Sequence, residues 1–430
     1  MPKLAVIFTG LVSVDKNLVG TAVIYKKIAE IFRQEKYQVI LVGPEVSDIQ
    51  EEGIEAVVYE EKNNSRLIKS ADVVVFGAYP PPAPLQEAYR QKKIIITYLW
   101  SIAPIGSLEF KDFKNSEEQA KLHRYISASY NLSLLLSDKI FCRDEGVKKL
   151  VLGSLISLGR VNLENYRTDR QLKNILEVAP FGIDKKANSG VNKKSPNQGK
   201  GHYRGIYPEI GKNDFILIWN GGIWNWNDGQ TLIKAMATLK NEKIKLIFQG
   251  FKHPGKGKTL SKEAKSCLAL AKKLKVADRT VFFTENWVPY QERASFLQES
   301  DAGIVTSPNI PEANLFFKTR IYDYLWAELP IILNDCEAFA DLVQEKKLGL
   351  VVKTGDAVDL AEKITRLSRD VRLRQDIKKN IRKFKQEIAW ENTLAPIRRF
   401  AKKPTVSRDQ HDKKNPLVTG GLQTSAEILF

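Results

Sequence analysis

The chain has 430 residues, 43% of them hydrophobic and 27% charged, with a formal net charge of +17. That length exceeds what one hydrophobic core usually supports, so two domains are expected, and the composition is that of a globular protein rather than a disordered one. Three cysteines, Cys142, Cys267 and Cys336, lie far apart without ligand spacing, which argues against a disulfide framework or a zinc site and points to a reducing cytoplasm.

The opening MPKLAVIFTGLVSVD holds a compact apolar run, 4–8, that reads as a buried first strand; Thr9 and Gly10 break it too early for a secretory leader. No run of about 18 apolar residues occurs in the chain, so no transmembrane helix is expected. An amphipathic helix is expected over 21–33 and strands over 38–44, 56–60, 72–80 and 93–100. Helical patterns cover 117–137 and 145–158, with KIFC (139–142) as a strand between them and ILEVAP as the last strand of this half. Near-continuous apolar strands alternating with helices signal a parallel sheet covered on both faces.

The composition then changes. Residues 185–212 are rich in Lys, Gly, Asn and Ser and read as a linker. A second series follows with strands FILIW (215–219), KLIFQG (245–250), TVFF (280–283), AGIVTS (302–307), LPIIL (329–333) and LGLVV (348–352), then a helical stretch over 360–390. The organisation is an α/β domain over 1–184, the linker, a second α/β domain over 213–402 and a polar tail over 403–430, disordered in part. The fold class is α/β: two Rossmann-like, doubly wound domains that turn the carboxyl ends of their strands toward a central cleft.

Three stretches carry chemistry. WNGGIWNWNDG (219–229) sets Gly221 and Gly222 between a buried strand and a helix, surrounded by Trp219, Trp224 and Trp226. A glycine turn delivering the chain to a helix N-terminus gathers free amides and the helix dipole, which suits an anion, and Asp228 stands where it would cap that helix. Read by itself the stretch is equally a tight turn whose indoles pack the domain rim. QGFKHPG (249–255) puts Lys252 and His253 in a loop at the next strand end, where a lysine suits either a phosphate oxygen or solvent. PEANLFFKTRIYDYLWAELPII (311–332) sets Glu312, Lys318, Arg320 and Asp323 in an otherwise apolar segment. Arg320 and Asp323 are spaced to share a helical face, and an ion pair between them is the plain structural alternative.

These motifs, in this order, resemble bacterial glycosyltransferases of the two-domain GT-B type, in the retaining group called family 4 or group 1. GGIWNW, GFKHP, NWVPY (286–290) and TRIYDYLWAELPII carry the resemblance in the second half, LISLGRVN (155–162) and VAPFGID (178–184) in the first. The resemblance implies a donor site of Gly221, Gly222, Trp224, Lys252, His253, Val288 and Asp323. In it Asp323 would bind the donor ribose, the glycine pair would approach the phosphates or sugar, and the backbone at Val288 would meet the base. Lys318 and Arg320 would neutralise the diphosphate, with Glu312 near the donor sugar as the third catalytic position. Gly20 matches the glycine loop that faces the acceptor and diphosphate.

The resemblance also implies a nucleotide-sugar co-substrate with no further cofactor, no metal, a glycan or lipid-linked acceptor, retention at the anomeric carbon and a part in surface polysaccharide synthesis. The sequence departs from the pattern in places. Leu315 stands where the family keeps the acidic partner of Asp323, the basic pair after the first strand of the second domain is missing, and Glu328 replaces a glycine. These departures motivate an alternative, a degenerate GT-B protein that binds nucleotide or glycan without turnover. An oxidoreductase is disfavoured because TGLVSVDKNLVG lacks the G-x-G-x-x-G spacing. The net charge of +17 suits peripheral contact with an anionic membrane at the cytoplasmic face, and no ribonucleoprotein motif points to nucleic acid.

Overall fold

The computed structural model describes residues 3–10, 20–44, 53–109, 115–185, 202–239, 243–251, 260–284, 287–288, 290–316 and 318–407. The chain divides into two compact units, Met1–Gly182 with Trp390–Phe430, and Ile183–Ala389.

In the first unit, strands β1 (Lys3–Phe8), β2 (Tyr37–Gly43), β3 (Ile54–Val58), β4 (Val73–Phe76), β5 (Ile94–Leu99), β6 (Lys139–Cys142) and β7 (Leu176–Val178) form one sheet in the order β3-β2-β1-β4-β5-β6-β7. All its pairings are parallel. Helices α1 (Gly20–Gln34), α2 (Glu61–Ser70), α3 (Pro82–Arg90), α4 (Ala103–Leu108), α5 (Ser116–Leu136), α6 (Glu145–Ser157) and α7 (Leu163–Thr168) connect the strands. The central strands are apolar at successive positions because side chains on both pleat faces are buried. Val6 lies opposite Ile40 and Val74, and Phe8 stacks on Phe76 with ring centroids 5.2 Å apart. Each such buried side chain contributes about 1.5–3 kcal/mol. Polar caps start the helices: Asn115 accepts from the Glu118 amide for α5 and Asp144 from the Val147 amide for α6.

In the second unit, β8 (Phe215–Asn220), β9 (Ile244–Gln249), β10 (Val281–Thr284), β11 (Ala302–Val305), β12 (Ile331–Asn334) and β13 (Gly349–Val352) form a second parallel sheet, ordered β10-β9-β8-β11-β12-β13. Its helices are α8 (Gly229–Thr238), α9 (Lys262–Lys273), α10 (Ala294–Leu297), α11 (Pro311–Leu315), α12 (Arg320–Trp326), α13 (Ala340–Glu345), α14 (Ala357–Arg369) and α15 (Val371–Glu387). Both sheets reverse direction of winding at one place, between β1 and β4 in the first unit and between β8 and β11 in the second. Ligands of open parallel sheets sit beyond the strand ends at such switch points.

Two segments depart from the sequence expectation. Periodicity extends the second domain to 402, yet α16 (Trp390–Thr393) and α17 (Ala395–Lys402) belong to the first unit. Phe400 meets Phe141 edge-on at 6.2 Å, the Tyr37 hydroxyl donates to the Ala401 carbonyl at 3.2 Å, and Arg399 pairs with Glu177 at 2.5 Å. The start of the polar tail is tied down as well, with the Ser407 amide donating to Asp138 at 3.1 Å, while 408–430 lie outside the described residues. At its far end the stretch read as a linker is packed into the second unit. Glu299 accepts from the amides of His202, Tyr203 (2.9 Å) and Arg204 (2.7 Å), and buried Tyr203 donates to Gln249 at 2.8 Å. Residues 186–201 of that stretch are outside the described ones. Among the described residues no helix is long and apolar enough to cross a membrane.

The packing of α12 on β11 depends on a missing side chain: a Cβ on Gly303 would lie 2.3 Å from the Tyr324 ring. Gly303→Ala should therefore lower the unfolding free energy by about 2 kcal/mol or more, read as a reduced urea midpoint; an unchanged midpoint would contradict this packing.

Candidate active site

Beyond the end of β8 the chain turns at Gly221, whose φ of +92° lies in the left-handed region, with open space where a Cβ would point. Gly222 is required for a different reason. A Cβ there would stand 2.9 Å from the Trp224 indole, so the ring covers the glycine face. The three tryptophans separate by role. Trp219 is fully buried and packs on Phe248 at 5.6 Å, whereas Trp224 and Trp226 stack on each other at 5.7 Å and stay partly exposed. Asp228 caps α8 by accepting from the Thr231 amide at 3.0 Å. Its own amide donates to the Thr306 carbonyl at 2.9 Å, and the Thr306 hydroxyl donates to the Asp228 carbonyl at 2.6 Å. The loop after β8 is thus fastened to the end of β11 across the switch point.

Helix α12 places the charged residues. Arg320 is buried, donates through Nη2 to the Gly222 carbonyl at 2.7 Å and lies over the Trp219 ring, 4.5 Å from its centroid. Its Nη1 has no hydrogen-bond partner among the described residues. Asp323 accepts from Asn220 Nδ2 at 2.8 Å and lies 3.4 Å from Arg293 Nε. The ion pair between Arg320 and Asp323 that their spacing allowed is replaced by these two separate sets of partners, because the Gly222 carbonyl and the Arg293 guanidinium come from elsewhere in the fold. Burial raises the Asp323 carboxyl to about 6, with Arg293, Arg320 and the Asn220 hydrogen bond holding it from going higher. The side chain keeps 22% exposure, enough for contact with a ligand.

Tyr324 locks this arrangement from below. Its hydroxyl accepts from the Asn220 amide at 3.0 Å and faces the carbonyls of Ile218 and Ile304 at 3.0 and 3.1 Å. Burial pushes the phenol up to about 12, so it remains a donor at neutral pH. Arg293 stacks over the rings of Tyr290 and Trp326, 3.6 and 4.2 Å from their centroids, and donates to the Tyr290 carbonyl at 2.8 Å. That joins the segment containing Val288, which is partly buried, to the Asp323 carboxylate. Trp287 of the same segment packs against Gly250, 3.2 Å from where a Cβ would be.

Lys318 and Glu312 form an ion pair of 2.5 Å with both side chains largely buried, so two expected catalytic residues come together on each other. Beside them Glu337 is 3% exposed and accepts from the Ser307 hydroxyl at 2.5 Å, while its Oε2 has no hydrogen-bond partner among the described residues. Burial raises its pKa, which the charges of Lys318 and Arg320 oppose. Gly20 opens α1 in the first unit, and Lys252 and His253 lie outside the described residues. Asn220, Arg293, Tyr324 and Glu337 were not singled out from the sequence. A polar residue ending the apolar run FILIW was the available signal for Asn220, and the cation following WVPY for Arg293; nothing local marks Glu337.

Residues 209–384 match the family model described as glycosyl transferases group 1. No curated protein matches the chain in sequence. Solved structures resemble it over nearly its whole length. Sucrose-phosphate synthase from Thermosynechococcus elongatus has 12% identity over 93% of this chain and 98% of that one, with a TM-score of 0.62. WaaG, a glycosyltransferase involved in lipopolysaccharide biosynthesis, has 14% identity over 97% and 100%, with a TM-score of 0.60. HepE from Anabaena, solved in complex with UDP and glucose, has 12% identity over 93% and 98%, with a TM-score of 0.63. At such identities the structures establish the fold, and the family model over the second unit establishes the class of enzyme. Two parallel Rossmann-like sheets give the chain the GT-B fold, and the match over 209–384 identifies its second unit as a group 1 glycosyltransferase domain.

Proposed function

We propose that the second unit binds a nucleoside diphosphate sugar beyond the ends of β8 and β11 and that the enzyme transfers the sugar, with retention, to a glycan or lipid-linked acceptor held by the first unit. The observation that carries this reading is the Asp323 carboxylate, partly exposed and held by Asn220 and Arg293 beside an Arg320 anchored on the Gly222 carbonyl. Asp323 accepts hydrogen bonds from the ribose hydroxyls, and the backbone near Val288 meets the base. As the bond to the anomeric carbon breaks, negative charge grows on the diphosphate. Arg320, Lys318 and the turn at Gly221 and Gly222 offset that charge, so the role needs no metal. The departing phosphate takes the proton of the acceptor hydroxyl on the face it leaves, and the new glycosidic bond forms there. Trp224 forms one wall, Glu312 orients Lys318, Lys252 and His253 add positive charge for the phosphates, and Gly20 opens the helix facing the acceptor. The setting is surface polysaccharide synthesis at the cytoplasmic face, where a net charge of +17 favours contact with anionic lipid. UDP-glucose is the first donor to test because HepE, with the same fold, was solved with it.

A second reading is a chain that binds nucleotide sugar without turnover. It is favoured by the Glu312 carboxylate being engaged by Lys318, with Leu315 in the position of the family's acid. Nucleotide release from a panel of nucleotide sugars separates the two readings, since tight binding without release on any donor supports the second.

Three outcomes are expected. Asp323→Asn weakens donor binding by about tenfold or more, near 1.4 kcal/mol, in calorimetric titration. Its pH dependence gives the sign: Asp323 is a carboxylate above its pKa of about 6 and a neutral acid below. Wild-type affinity should therefore fall as pH is lowered through that value, while the asparagine variant stays flat; parallel profiles would sink the assignment. Arg320→Lys should lower kcat by about 100-fold with a smaller effect on donor affinity, and a wild-type kcat would return Arg320 to a packing role.

A further inference from the structure

The switch point of the first unit carries a side-chain cluster that the donor chemistry leaves unused. Tyr79 follows β4 and Trp100 follows β5, and their rings lie 5.5 Å apart at 48°. Both remain partly exposed, unlike the neighbouring core tyrosines Tyr25 (1%) and Tyr98 (0%). Two glycines let the surrounding loops close on Tyr79. A Cβ at Gly10, after β1, would lie 2.4 Å from the Tyr79 carbonyl oxygen, and one at Gly106, in α4, would lie 3.1 Å from the Tyr79 hydroxyl. The Trp100 indole is fixed in its plane by donating to the Tyr25 hydroxyl at 3.2 Å. Next to Trp100, the buried Ser101 hydroxyl, 5% exposed, has no hydrogen-bond partner among the described residues.

Next to Gly106, Ser107 settles the tautomer of a histidine. The Ser107 hydroxyl donates to the Pro104 carbonyl at 2.8 Å and lies 2.8 Å from His123 Nδ1. A hydroxyl has one proton, and a carbonyl can only accept it. The Ser107 oxygen must therefore accept from His123, which puts the imidazole proton on Nδ1 and leaves Nε2 of the neutral ring as an acceptor. His123 is partly exposed. Gly106 and Ser107, adjacent in α4, thus tie two partly exposed rings to an imidazole with a lone-pair acceptor. An aliphatic chain would need the rings but leave the acceptor unpaired, and a peptide carbonyl would offer it no proton. A pyranose satisfies both, with an apolar C–H face for the rings and a hydroxyl for the imidazole.

We propose that Tyr79, Trp100 and His123 form a pyranose-binding subsite in which the rings stack on a sugar face and His123 Nε2 accepts a sugar hydroxyl. This deepens the glycosyltransferase reading, on which it rests, by making the acceptor a carbohydrate.

The test is saturation-transfer NMR on the full chain with methyl pyranosides of glucose, galactose, mannose and N-acetylglucosamine, with UDP titrated in parallel. At least one pyranoside should bind, with saturation strongest on the protons of one ring face. Tyr79→Ala and His123→Ala should each weaken it by about tenfold or more while UDP affinity holds, and Tyr79→Phe should restore the stacking. In turnover the same alanine variants should raise KM for the acceptor more than they lower kcat. A chain that binds UDP but no pyranoside, or pyranoside binding that survives both alanine substitutions, overturns the subsite and leaves the donor reading standing. Pyranoside binding that responds to the substitutions in a chain blind to every nucleotide sugar supports the subsite and removes the donor reading instead.

Discussion

A single buried hydrogen bond organises the second unit: Arg320 donating to the Gly222 carbonyl at 2.7 Å. A guanidinium cannot shed its charge by deprotonation at any ordinary pH, so burying it costs several kcal/mol unless its donors and its face are matched. For Nη2 and the guanidinium face the match comes from two parts of one stretch, the carbonyl of Gly222 and the indole of Trp219. Because Arg320 opens α12, fixing it also fixes Asp323 and Tyr324 further along the helix. Tyr324 in turn holds the ends of β8 and β11 through Asn220, Ile218 and Ile304. The glycine turn, the acidic helix and the sheet edge are therefore one mechanical object, and a change to any of them reaches the others.

The same constraint explains what the sequence disclosed and what it hid. Strands such as FILIW were plain because burial on both faces makes them apolar without alternation, and the Asp228 cap was plain because capping is local. The apolar run 72–80 exceeds β4, which is Val73–Phe76, because Gly77 must pass close to the Tyr25 hydroxyl and Tyr79 turns away to meet Trp100. The return of 390–407 to the first unit was hidden, since it rests on contacts such as Tyr37 with Ala401, separated by most of the chain. In the site, spacing alone allowed Arg320 and Asp323 to pair with each other. Each instead finds a partner distant in sequence, Gly222 for one and Arg293 for the other, and no local pattern encodes that choice. The identity of the motif residues came from resemblance; their connections came only from the fold.

The two units solve a similar problem with different chemistry. Each has a switch point where a glycine after a strand allows a close approach: Gly222 under the Trp224 ring in one, Gly10 against the Tyr79 backbone in the other. Around the first lie fixed charges, suited to a diphosphate and a ribose. Around the second lie partly exposed rings and an imidazole of defined tautomer, with no comparable buried ion pair among the described residues. An anionic donor and a neutral, hydroxylated acceptor would be sorted by that difference alone.

The most direct test of the donor site is amide hydrogen exchange on the full chain with and without UDP. Bound nucleotide should slow exchange in two stretches that are distant in sequence, 219–227 and 318–326, and the Asp323→Asn variant should lose that protection at the same UDP concentration. Protection by bound UDP that spares both stretches would contradict a donor site built on Arg320, Gly222 and Asp323.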